Sequence, residues 1–174
     1  MSMKPLNDLE DIFRPVVGRL AWSVRKGHGS SLTVEFGSPH IAVREPIAAS
    51  PGASEKVRRN LAKRRVTLVG EWHFWIQYAQ WRIQTANFAA TSEMEEIALI
   101  DDALDELDGQ KLLSVTLGST PQAHTLNFDL GGSLHIWPSF ENYDDQWSLY
   151  DANGSIVIFK RDGTFVTSER GEEG

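Results

Sequence analysis

Apolar and polar residues alternate with a period of two along most of the chain, the signature of half-buried β-strands. The pattern is clearest at Leu32, Val34 and Phe36, which interleave with Thr33 and Glu35 and stop at Gly37-Ser38-Pro39. A second run covers 20–24, and the intervening Arg25-Lys26-Gly27-His28-Gly29-Ser30 is turn chemistry, so the pair predicts a β-hairpin. A short strand over 40–43 follows, closed by Pro46, and 47–54 reads as a loop. Residues 66–85 concentrate Trp72, Phe74, Trp75, Tyr78 and Trp81 and predict two strands. Six more strands are expected over 112–117, 125–130, 134–137, 146–150, 155–160 and 164–167, with hairpin turns at 151–154 and 161–163. Residues 168–174 read as a frayed tail.

Helical spacing interrupts this pattern twice. Ser54 is placed to cap a short helix over 55–65 with Val57 and Leu61 on one face. Ser92 with Glu95 three residues later predicts a capping box opening a helix over 92–107. Its apolar stripe is Ile97, Ile100, Leu104 and Leu107, and Gly109 stands ready to stop it. Through Asp108 this helix carries eight acids and no base. The segment 55–65 holds six basic residues and one acid; it is expected either to meet phosphate or an acidic protein, or to be a solvated helix or one lying near the acidic helix.

Two stretches share a grammar. Residues 31–37 (Ser-Leu-Thr-Val-Glu-Phe-Gly) lie over 125–131 (Thr-Leu-Asn-Phe-Asp-Leu-Gly), and His40-Ile41 then meets His135-Ile136. Trp72-His-Phe-Trp75 meets Trp147-Ser-Leu-Tyr150, and Trp81-Arg-Ile83 meets Ile156-Val-Ile158. The expectation is one domain over 1–174, with pseudo-repeats over about 16–85 and 111–167 bridged by the acidic helix. The fold class is therefore α+β, mainly antiparallel β, with two strand units packed as a sandwich or barrel.

Composition narrows the chemistry more than it names it. The absence of cysteine removes disulfides, thiolate metal sites and a cysteine nucleophile. The first ten residues are polar and acidic rather than a signal peptide, and no apolar run reaches the length of a membrane span, so a soluble, cytoplasmic protein is expected. A net charge of −7 argues against general nucleic-acid binding. No nucleophile elbow, phosphate loop, dinucleotide fingerprint or metal-spaced histidine pair is present, and no cofactor or metal is expected.

Three candidate sites remain. Glu35 and His40 in the first half correspond to Asp129 and His135 in the second. Their convergence would give a carboxylate–histidine site, with Glu35 expected to point outward from its strand. His73 and Asp145 are scattered residues able to join such a set. Trp75 and its repeat counterpart Tyr150 are placed to line a cavity for a small apolar ligand, the alternative being that the aromatics fill a core. The acidic helix, through Glu95, Asp101, Asp102 and Asp105, is placed to meet a basic protein.

The elements Leu126–Gly131, His135-Ile136, Trp147–Tyr150 and the Asn153-Gly154 turn resemble those of small β-rich bacterial proteins of unknown function. Some members of that group are thought to be immunity proteins that accompany secreted toxins. The resemblance spans about two-thirds of the chain and implies a binding role without assigning any residue. Together these observations predict a non-enzymatic domain acting by protein–protein contact.

Overall fold

The computed structural model describes residues 2–4 and 9–169. In chain order its strands begin with β1 (Ser2–Lys4), β2 (Ala21–Lys26), β3 (Leu32–Phe36), β4 (His40–Arg44) and β5 (Arg65–Val69). They continue with β6 (Trp72–Ile76), β7 (Gln80–Gln84), β8 (Ala89–Thr91), β9 (Leu112–Leu117) and β10 (His124–Phe128). The last four are β11 (Ser133–Trp137), β12 (Asp145–Asp151), β13 (Ile156–Lys160) and β14 (Phe165–Ser168). Three helices join them, α1 (Leu9–Phe13), α2 (Glu55–Leu61) and α3 (Ile97–Leu107).

The strands form a seven-stranded sheet in the order β1-β14-β13-β12-β6-β3-β2 and a five-stranded sheet in the order β8-β7-β11-β10-β9. Neighbours in both are antiparallel. This is the mainly antiparallel α+β sandwich that the alternation predicts. Leu32, Val34 and Phe36 of β3 turn into one core with Phe74 and Ile76 of β6, and from the other sheet with Trp81, Leu126, Leu134 and Ile136. Phe36 stacks on Phe128 across the gap, with ring centroids 6.5 Å apart. Phe13 of α1 closes one end against Phe74 and Trp147. Burying each such side chain contributes about 1.5–3 kcal/mol, so this layer dominates the stability.

The expected helix over 92–107 is shorter, and its capping box does not form. Ser92 instead extends the β7–β8 pair, donating its N–H to Trp81 O at 2.9 Å and accepting the Trp81 N–H on Oγ at 3.1 Å. A hydroxyl satisfying a buried strand N–H is not free to cap. The helix opens at Ile97 after Glu96 with no side-chain cap, and Ile97 is 71% exposed, so its buried stripe is Ile100, Ala103, Leu104 and Leu107. It packs on β2, β7 and β8. Gly109, at φ +90°, ends it as expected and donates its N–H to Ala21 O at 2.7 Å.

Residues 66–85 hold parts of three strands rather than two, because Gly70-Glu71 breaks β5 from β6. The short elements β1, α1 and β8 were not expected, and β14 reaches Ser168, the first residue of the expected tail. Of that tail, residues 170–174 lie outside the described residues.

The proposed duplication is not reproduced in the strand order. β3 belongs to the seven-stranded sheet and its counterpart β10 to the five-stranded one. β7 and its counterpart β13 are exchanged in the opposite sense, whereas β6 and β12 lie side by side. Shared alternation set the sequence match, and alternation does not specify a sheet.

Candidate functional site

Outside both sheets stands an arm. β4 pairs with β5 alone, in the register Ile41↔Leu68 and Val43↔Val66, and α2 sits at its tip. Cross-strand partners share a face. Here that face is Ile41, Leu68, Val43 and Val66, at 65%, 60%, 52% and 59% exposure. The tip is braced by its own chain. Ser54 Oγ accepts the Val57 N–H at 3.3 Å, and the Arg44 guanidinium donates to Asn60 O at 3.0 Å and Lys63 O at 3.2 Å. Arg58 donates to Pro51 O at 2.7 Å, and Arg64 forks onto Glu45 at 2.9–3.1 Å. No residue of α2 is buried, so its helix rests on capping and these braces.

The root of the arm is fixed by buried chemistry. Gly70 passes so close to β3 that a Cβ there would stand 2.5 Å from Phe36 O and 2.9 Å from Phe36 N, which only glycine permits. Glu35, 7% exposed, accepts the Gly70 N–H on Oε2 at 2.9 Å and meets His73 Nδ1 through Oε1 at 2.5 Å. This contact engages the ring through Nδ1 and leaves Nε2 as its uncommitted nitrogen. The pairing follows from register, since Glu35 lies opposite His73 in the β3–β6 ladder. On the other strand, Glu71 Oε2 accepts the Ser38 N–H at 3.3 Å and lies 3.7 Å from Arg19. Trp22 Nε1 donates to Gly37 O at 2.8 Å. Both strands thus leave the sandwich through held backbone.

Between arm and sheet is an open cleft of about 680 Å³ lined by Trp22, Arg25, Thr33, Glu35, Thr67 and His73. Ser23, the only described non-glycine residue with positive φ, at +52°, also borders it. Among the described residues none forms a hydrogen bond to His73 Nε2, and the dyad's contacts are with the backbone of the arm root and with its own cross-strand partner. Its geometry is that of a pin.

The residues singled out by sequence fall in three places. Glu35 is buried against the arm root rather than pointing to solvent, because Gly70 covers it. His40 and Tyr150 border a second cleft beside His73, and the Tyr150 and His73 rings are 5.8 Å apart. Asp129 and His135 belong with the other sheet: Asp129 accepts the Lys111 N–H at 2.8 Å, and His135 Nδ1 meets the Thr125 hydroxyl at 2.8 Å. The four-residue carboxylate–histidine set is therefore split, and among the described residues no three His, Asp or Glu side chains gather to hold a metal. Asp145 pairs with Lys160 instead of joining His73.

Trp75 is half-buried off the core and donates from Nε1 to Ser31 Oγ at 3.0 Å. It and Tyr150 share the outer face of the seven-stranded sheet with His73, so they do not wall a cavity between the sheets. That interior is occupied by Phe36, Phe74, Trp81 and Trp147. Glu95, Asp101, Asp102 and Asp105 are all exposed along α3 and its approach. Glu106 and Asp108 have local work: Glu106 binds Thr85, which holds its carboxyl below the usual range, and Asp108 Oδ2 accepts the Val24 N–H at 3.2 Å.

Sequence reasoning missed Gly70 and the role of His124. His124 is fully buried and accepts the Trp147 Nε1–H on Nε2 at 2.9 Å, joining the two sheets. Burial pushes its pKa down to about 4. Its place as the first residue of an alternating strand, ahead of Leu126 and Phe128, was the available signal.

The basic segment does not lie against the acidic helix: the helix packs on β2, β7 and β8, and no residue of α2 is buried. No helix among the described residues is long and apolar enough to cross a membrane. No family model, curated protein or solved structure matches this chain.

Proposed function

We propose that this chain is a non-enzymatic binding domain acting by protein–protein contact, with the β4–α2–β5 arm as its contact element. The observation that carries the reading is the row Ile41, Leu68, Val43 and Val66, held open to solvent on a braced arm. Grouped exposed apolar side chains rimmed by charge are characteristic of interaction surfaces. Holding the arm in place before binding lowers the ordering cost of association. The acidic face of α3 is a second contact, suited to steering a basic surface into place. An immunity-type role, as the resemblance to small bacterial β-rich proteins implies, is one form of this reading.

The test is native mass spectrometry on tagged protein purified gently from its own host. A second polypeptide retained at fixed stoichiometry by the wild type, and lost from a folded Ile41→Lys/Leu68→Lys variant, is the expected result. Equal retention by that variant would remove the arm from the contact. Replacing Glu95, Asp101, Asp102 and Asp105 by their amides is expected to slow association with the partner.

A further inference from the structure

We propose that the arm docks on the acidic outer face of α3 in a second copy of this chain, so that copies associate head to tail. The inference rests on the protein-contact reading and names the partner. It is argued from charge complementarity together with exposed apolar surface on both sides.

Residues 40–69 hold seven Lys and Arg against two acids. Among the described residues, only Arg64 of that set is engaged by a carboxylate, and the carboxylate belongs to the arm's own Glu45. Residues 93–108 hold eight acids and no base. Seven of them, Glu93, Glu95, Glu96, Asp101, Asp102, Asp105 and Asp108, are exposed, and no salt bridge reaches them from any described cation.

Each surface also carries apolar side chains in the open. The arm has the two cross-strand pairs centred on Ile41 and Val43, and α3 has Ile97 and Leu99. An apolar centre inside a charged rim is how stable contacts are built. The two surfaces do not satisfy one another within one chain: α3 packs on β2, β7 and β8, and among the described residues no salt bridge joins it to the arm. A second copy supplies both complements at once. The contact joins different surfaces of two identical chains, leaving an arm free at one end and a helix at the other, so it closes into a ring or extends.

Sedimentation velocity over a range of protein concentrations reads the proposal. The mass of the wild type is expected to rise with concentration and to fall back as salt is raised from ~0.15 M to ~1 M, where the screening length shrinks from about 8 Å to about 3 Å. Two charge-reversed variants are compared, both confirmed as folded by circular dichroism. One carries Lys56→Glu, Arg59→Glu and Lys63→Glu; the other carries Asp101→Lys, Asp102→Lys and Asp105→Lys. Each alone is expected to self-associate at least ~10-fold more weakly. Mixed in equal amounts, they are expected to recover association, because each variant's altered surface now complements the other's.

A wild type that stays monomeric at every concentration and salt overturns the proposal without needing any variant. So does a variant that associates like the wild type, or a mixture that fails to recover. If the wild type is monomeric while a host protein is retained through the arm, the second copy is excluded and the protein-contact reading stands.

Discussion

In β3, Leu32, Val34 and Phe36 alternate with polar residues and are sealed between two sheets; in β4 and β5, Ile41, Val43, Val66 and Leu68 follow the same alternation and stay open. One pattern therefore has two fates. What separates them is what lies opposite. β3 sits within a seven-stranded sheet and faces a second sheet, whereas β4 and β5 have only each other. The arm teaches that alternation decides which side chains share a face and leaves open whether anything in the chain covers that face. Its anchorage is also different in kind: the sandwich is held by packed aromatics, and the arm by Glu35, Gly70 and Glu71 at its root.

Substitutions are expected to separate the two regions, beginning with the core. Phe74→Ala should cost about 3–5 kcal/mol in urea denaturation, because the cavity lies among packed rings. A smaller effect arises from His124, whose pKa falls from 6.5 to about 4 in the folded chain. The unfolded state binds the proton more readily, so stability is retained above pH 6.5 and lost as pH falls towards 4. The loss amounts to roughly 3 kcal/mol. A histidine NMR titration should show His124 unprotonated until near pH 4, and a midpoint close to 6.5 would refute its burial as a neutral link between sheets.

At the arm root, Glu35→Ala leaves the buried Gly70 N–H without an acceptor. It should cost about 1–3 kcal/mol and speed amide exchange at Gly70. Unchanged exchange there would show that the root is held by packing alone. The smallest effect is expected on the arm's open face, where Leu68→Ser should shift stability by less than ~0.5 kcal/mol.

Much of the sandwich was legible because a period of two states directly which side chains share a face. The hairpin turns at 151–154 and 161–163 and the Ser54 cap were legible for the same local reason. What covers a face is a long-range fact, and there the sequence was silent or misleading. Glu35 looked outward by parity, yet Gly70, thirty-five residues away, closes over it. Ser92 had the spacing of a cap but was taken up by Trp81. His40 and His135 matched in motif and landed in an arm and a sheet. Asp101, Asp102 and Asp105 lie on the exposed side of α3, opposite the stripe Ile100, Leu104 and Leu107 that helical periodicity assigned to the interior, whereas Ile97 of that stripe is exposed and Glu95 precedes the helix.

The most direct test of the account is the unfolding free energy of a variant carrying Ile41→Thr, Val43→Thr, Val66→Thr and Leu68→Thr. If these side chains are held for a partner, the dilute protein should unfold within ~0.5 kcal/mol of the wild type. A loss of several kcal/mol would mean that the chain covers this face itself, and would contradict the arm as a contact element.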